Sequence, residues 1–381
     1  RNGGFMHLAL LSFSGVMSTI GAVCLAILIL LAMITVHEFG HYVAGKIFRF
    51  KINEFAIGFG PAVFKHKKKN GELISVRCLP LGGYCAFEGE DSDEAHPDAF
   101  NNKKPWQRII VLLAGAFMNY VLALLLIVVS FFACGQLLLM TYTEPSDVAV
   151  YNEYSLHDRD VILSCEGKDI YLTSDLMDAL EGKKQGDLVA FAVSREENGG
   201  RSEREVQVML RADASFDDVT DTAALWNALG IERQYAEDGQ SFTYRIYSAS
   251  YKGFGFFETI GRSFTYSLRI GGTIFKVLGQ LLTGDLGLSA FGGPVSTIKL
   301  TSQIASRSLQ QFLEISAYIG VNLAVFNLLP IPALDGSKVV FTAIEWVRGK
   351  PINRKAEAII HAVGFVLLLG FAVLVDVLQL F

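Results

Sequence analysis

Apolar residues gather into four long runs, 17–45, 109–133, 313–329 and 357–378, each long enough for a membrane-crossing helix. Between the first two lies 55–90, apolar but not helix-like. Asn70-Gly71 is a hairpin turn signal there, and ELISVRCLPLGGYCAF alternates as strands do until Gly82-Gly83 interrupts it. Non-helical backbone at membrane depth is tolerated only when packed on protein or lining a cavity. The stretch is expected as a membrane-associated β-hairpin beside the first span; an ordinary soluble loop is the alternative.

After the second run the pattern shifts to short β-type segments (DVILSCEGKDI, DLVAFAVSR, EREVQVMLR) around a helix-like stretch, 173–180. These predict a compact α+β domain over 144–211, with 134–143 as the linker before it and a strand-rich extension over 212–253. The next segment, 254–312, holds an amphipathic helix with Phe, Ile and Leu on one side, lying at the interface or packed on the spans, and a glycine-rich link. The halves of the membrane core are 17–133 and 313–381. Residues 1–16 are set apart as an N-terminal segment, open to being expression-derived because the chain does not begin with Met. The first run is too long for a cleaved signal peptide and lacks a basic leader.

Composition agrees with a membrane enzyme that carries a water-exposed part. The chain is 51% hydrophobic and 19% charged, with a mean hydropathy of +0.37. A formal net charge of −5 and the absence of a basic domain exclude nucleic acid as a partner. Five scattered cysteines contain no C-x-x-C, so no thiolate zinc site or redox motif is implied. Lys46, Arg49, Lys51, Lys65, Lys67, Lys68, Lys69, Arg77, Lys103, Lys104 and Arg108 separate the first two runs, and Arg348, Lys350, Arg354 and Lys355 the last two. The positive-inside rule makes both loops cytoplasmic. The expected fold is a polytopic α-helical membrane protein: four transmembrane helices, a cytoplasmic-side hairpin, an inserted extracytoplasmic α+β domain and both termini extracytoplasmic.

Chemistry enters at the end of the first run, where ITVHEFGHYVAGK contains H-E-x-x-H. Histidines four apart lean from one helix face, as two tetrahedral Zn²⁺ ligands require, and the glutamate between them is free to take a proton from water at the metal. Ionisable groups inside a span cost at least ~2.5 kcal/mol each, which favours a functional reading of His37, Glu38 and His41. The third run ends NLAVFNLLPIPALDGSK, where Pro330 and Pro332 must break the helix. Asp335 then sits on irregular backbone at the inner membrane edge, on the side of the histidines. Alone, Asp335-Gly336 reads as a turn; taken with H-E-x-x-H at the same depth, it reads as a third ligand that leaves a fourth position for water.

HEFGH (37–41), GFGP (58–61), LPLGGY (79–84), GGP (292–294) and NLLPIPALDG (327–336) in this order resemble the site-2 protease family of intramembrane zinc metalloproteases, in particular its bacterial, sigma-factor-regulating branch with a PDZ domain. The resemblance runs from about residue 17 to the C-terminus. It implies one Zn²⁺ per chain held by His37, His41 and Asp335, with Glu38 as general base. It also implies a substrate-contacting set of Asn322, Asn327, Pro330, Pro332, Leu79, Gly82, Gly83 and Tyr84, the hairpin edge pairing with unwound substrate as an added strand. The domain over 144–211 would be PDZ-like. There the family's Gly-Asp is replaced by Arg159-Asp160, which puts capture of a free carboxy terminus in doubt and leaves a size filter as the alternative.

The implied activity is zinc-dependent endoproteolysis of single-span membrane proteins, such as anti-sigma factors or signal-peptide remnants, in or near their transmembrane segments. The setting is the bacterial plasma membrane, with the active site toward the cytoplasm. The rival reading is an inactive scaffold that binds partners through its PDZ-like domain. A zinc transporter is disfavoured because the second and fourth runs hold almost nothing polar besides Asn119 and His361.

Overall fold

The computed structural model describes residues 3–90, 96–141, 156–197, 200–218, 221–230, 234–235, 242–243, 246–284, 292–305 and 308–378. The start of the expected α+β domain and part of the glycine-rich link lie outside the described residues.

In chain order the elements are α1 (Gly3–Ile47), β1 (Ile52–Lys67), β2 (Leu73–Phe87), α2 (Pro105–Cys134), β3 (Gln136–Thr141), β4 (Val161–Cys165), β5 (Lys168–Asp169), α3 (Thr173–Leu180), β6 (Leu188–Glu197), β7 (Gly200–Met209), α4 (Thr222–Ala228), β8 (Gln234–Tyr235), β9 (Phe242–Thr243), β10 (Ile246–Lys252), α5 (Phe256–Thr283), α6 (Pro294–Ala305), α7 (Leu309–Leu328), α8 (Asp335–Arg348) and α9 (Arg354–Leu378). They fall into two compact units, one of Arg1–Ile127 with Leu288–Phe381 and one of Val128–Gly287.

The first unit is a helical bundle with a hairpin. Among the described residues, three helices are long and apolar enough to cross a membrane: Ile20–Ile47 of α1, α2 and α9. The 28 residues of Ile20–Ile47 span ~42 Å at 1.5 Å per residue, more than a bilayer core requires. α7 covers the third expected span but is not among these three; Gln310, Gln311, Glu314, Asn322 and Asn327 dilute its apolar face. Ser308 caps its start, and it stops at Leu328, where Leu329 turns extended before Pro330.

The hairpin is bent. Residues 54–57 of β1 pair on one side with 73–76 of β2 and on the other with 83–86, which leaves 83–86 as an edge. β2 packs on α1. A buried ion pair ties α2 to α8, Arg108 Nη1 to Glu345 Oε2 at 2.7 Å, and Arg354 of α9 joins the same carboxylate at 2.8 Å.

The second unit is an antiparallel sheet in the order β10-β3-β4-β6-β7, with β5 on β4. Val189, Phe191 and Val193 of β6 alternate inward and pack with Ile162, Leu176, Leu180, Val208 and Leu225 under α3 and α4. The expected helix-like stretch is α3, started by Asp175, whose carboxylate accepts the Tyr171 and Leu172 N–H groups. Two expectations change. Gln136–Thr141, expected in the linker, is strand β3, and β10 of the extension pairs with it. Both belong to the sheet by their backbone pairing, and Leu139 of β3 reaches its buried core.

Arg159 adopts φ 61°, the left-handed conformation that glycine takes without strain, and Asp160 is buried in a two-pronged bond to Arg195 at 2.8 and 2.7 Å. The amphipathic helix is α5. It buries Thr259, Arg262, Ser263, Ser267, Ile270 and Ile274 and exposes Phe257, Ile260, Phe264, Leu268 and Phe275.

Candidate metal centre

His37 and His41 are both buried on one face of α1, and their Nε2 atoms face each other at 3.1 Å. Each imidazole is oriented from its far side. His41 Nδ1 lies 2.8 Å from the Val111 carbonyl, so Nδ1 donates and Nε2 keeps its lone pair. His37 Nδ1 faces two carboxamides, Asn119 and Asn327, each with Nδ2 at 3.4 Å. The buried Asn119 Oδ1 has no hydrogen-bond partner among the described residues. Turning that amide over lets Oδ1 accept the Nδ1 proton that a metal-binding Nε2 requires.

Val111, Gly115 and Asn119 form one stripe of α2, spaced four apart and turned to the two histidines. Gly115 is the closest approach. A Cβ there would run into His41 Nε2 and would meet His37 Cε1 at 2.7 Å.

Asp335 supplies the third atom. Oδ2 lies 3.0 Å from His37 Nε2 and 3.3 Å from His41 Nε2. The sequence places this residue on irregular backbone; the structure makes it the first residue of α8, because a helix restarts readily once the second proline and an extended Leu334 are passed. The three ligand atoms lie within 4.8 Å of one another. Around a tetrahedral Zn²⁺ with bonds of ~2.1 Å, ligand atoms stand ~3.4 Å apart. The observed separations and the N,N,O donor set therefore fit zinc.

Glu38 is half-buried and lies beside the hairpin edge. Gly83 stands beside it; a Cβ there would lie 3.5 Å from Glu38 Cγ and 2.9 Å from the Ala56 carbonyl oxygen. The edge 83–86 thus borders Glu38.

The rest of the expected set is scattered. Asn327 reaches His37, but Asn322 Oδ1 is enclosed with no partner among the described residues. Leu79 and Pro330 are exposed, Pro332 packs against α9 at Gly364, and Gly82 lies under the Phe59 ring. Tyr84 is committed within the hairpin: its hydroxyl donates to Glu54 at 2.8 Å and accepts from Arg77 at 2.6 Å. Gly115 and Val111 are absent from the expected set. Their signal in the sequence is the small run Ala114-Gly115-Ala116 one turn before the lone Asn119.

Behind the site, Glu72 links the hairpin turn to the end of α1. Lys46, Lys68, Tyr42 and Asn70 all donate to its carboxylate. Burial pushes this carboxyl up, but those hydrogen bonds outweigh it and hold it at about 2.

The sequence profile of peptidase family M50 matches residues 25–371. A Clostridium perfringens protein that bears the name of a zinc metalloprotease is 31% identical over 357 residues, covering 92% of this chain and 96% of the relative. Proteins of the same designation from Fusobacterium nucleatum and a Nostoc species are each 30% identical, covering 93% and 92% of this chain and 96% and 94% of their own.

Proposed function

The chain belongs to peptidase family M50, the site-2 protease family, as a zinc metalloprotease of the membrane, and from that premise we propose that it cleaves single-span membrane proteins within or near their transmembrane segments, with His37, His41 and Asp335 as ligands and Glu38 as general base. The observation that carries this reading is the convergence of His37 Nε2, His41 Nε2 and Asp335 Oδ2 from helices α1 and α8. His37, His41 and Asp335 would hold zinc, which when bound would supply Lewis acidity toward a carbonyl and toward water. Glu38 takes the proton of the attacking water and passes it to the leaving amine.

A helical substrate segment shields its peptide bonds with its own hydrogen bonds, so cleavage needs it unwound. The unpaired edge at 83–86 offers backbone groups to such a strand beside Glu38. Asn327, with Asn322 behind it on α7, is proposed to hold the substrate backbone.

The finer architecture is part of the same proposal. α7 is the third of four spans, the lysine-rich hairpin loop and the α8–α9 loop are cytoplasmic, and the sheet unit is a PDZ-like extracytoplasmic domain. Its Arg159-Asp160, with Asp160 consumed by Arg195, favours a filter on substrate size over capture of a carboxy terminus.

The test is zinc content of the detergent-purified chain, wild type against His37→Ala and Asp335→Ala, together with cleavage of a single-span substrate by wild type and Glu38→Gln. Expected are one zinc per chain lost in the ligand variants, and cleavage lost in Glu38→Gln with zinc retained. Zinc without cleavage across several trimmed substrates would favour the scaffold reading; full zinc in both ligand variants would overturn the ligand assignment.

A further inference from the structure

His361 is the only ionisable side chain between Ala358 and Val375 of α9. Such a residue in an apolar span needs a partner and a purpose. Its partner is the turn between α7 and α8: Nδ1 accepts the Ala333 backbone N–H at 3.1 Å. Ala333 has φ 82°, a left-handed conformation that side-chain-bearing residues avoid and that only fixed surroundings maintain.

Two further contacts hold the pair. Phe341 of α8 meets the His361 ring edge-on at 5.7 Å between centroids. Three residues along α9, Gly364 lets the helix close on Pro332; a Cβ there would lie 2.7 Å from the Pro332 carbonyl oxygen. One face of α9 therefore grips Pro332 and Ala333, immediately upstream of Leu334 and Asp335.

We propose that His361 is a positioning residue: by accepting the Ala333 N–H it holds the left-handed turn that aims Asp335 at His37 and His41. The inference rests on the reading of Asp335 as a zinc ligand. The adjoining cavity of about 420 Å³ has a different character. Its lining includes the ion pairs of Lys338 with Glu90 at 2.6 Å and of Arg354 with Glu357 at 2.9 Å.

The test is zinc affinity of the full detergent-purified chain, measured by competition with a chromogenic chelator, with thermal unfolding of each variant alongside. His361→Leu removes the acceptor. His361→Asn keeps one, because Asn Oδ1 stands where His Nδ1 does. Ala333→Gly removes the strain the bond opposes, since glycine adopts positive φ freely. Expected are an affinity loss of about tenfold in His361→Leu, about threefold or less in His361→Asn, and recovery toward wild type in the His361→Leu/Ala333→Gly double variant. The double variant carries the test where the single leucine variant folds poorly.

Wild-type affinity in His361→Leu, where Asp335→Ala has lost zinc, would overturn the positioning role alone. So would His361→Asn as weak as His361→Leu, which would assign the effect to ring volume. Wild-type affinity in Asp335→Ala would instead overturn the ligand reading on which this one stands.

Discussion

Gly115 of α2 lies directly against His41 of α1, with no room for a methyl group between its backbone and the Nε2 atom. Zinc affinity and helix stability should therefore move in opposite directions when this residue changes. Gly115→Ala favours the helix by up to ~1 kcal/mol through backbone entropy, yet displaces the imidazole. The expected result is at least a tenfold loss of zinc affinity with zinc-free thermal stability held or raised. Unchanged zinc affinity would show that the two helices separate easily here.

Asn119 is expected to act on zinc through His37. Its amide is the buried partner of Nδ1, and partners of this kind carry roughly 10- to 100-fold in metal affinity. Asn119→Ala should lose that amount, while Asn119→Asp, which can accept the Nδ1 proton, should retain most of it. Equal affinity in Asn119→Ala and wild type would leave the orientation of His37 to Asn327 alone.

Gly83 adjoins Glu38 at the hairpin edge. A Cβ there would crowd the Ala56 carbonyl oxygen at 2.9 Å and reach Glu38 Cγ at 3.5 Å, so the added methyls of a valine are expected to crowd Glu38. Cleavage should fall by roughly 10²-fold, the cost of misplacing a reacting group by about 1 Å, with zinc content unchanged. A parallel fall in zinc would mean that the hairpin supports the metal site as a whole.

Glu72 predicts a pH signature. Its folded carboxyl, at about 2, lies below the ordinary 4.5. A depressed pKa contributes stability that is complete above the ordinary value and is lost as pH falls through the folded one. The thermal-stability gap between wild type and Glu72→Gln should be full at pH 7 and shrink as pH falls from 4.5 toward 2. A gap that does not change over that interval would show that the Lys46 and Lys68 contacts add no net stability.

Much of the site can be read without coordinates. The four-residue spacing of His37 and His41 needs only helical periodicity to place both on one face. The turn at Asn70-Gly71 and the helix over 173–180 follow from local chemistry, a positive-φ glycine and a capping aspartate. Gln136–Thr141 was not legible as a sheet strand, because its pairing with β10 joins residues more than a hundred positions apart. Tyr84 shows a related limit: a motif names a tyrosine, but only the fold shows its hydroxyl engaged by Glu54 and Arg77.

What the sequence determined by itself is therefore periodic or local: which runs are apolar, which ionisable groups interrupt them, and which prolines end a helix. Those features name the candidate donor atoms and the class of chemistry, since ionisable groups within apolar runs are costly and default to a functional reading. Only the tertiary structure decided that Val111, Gly115 and Asn119 back the histidines, that Asp335 opens a helix instead of lying in the turn, and that His361 braces that turn from α9. Each is a contact between elements remote in sequence, set by how closely two helices approach, and neither periodicity nor turn chemistry carries that distance.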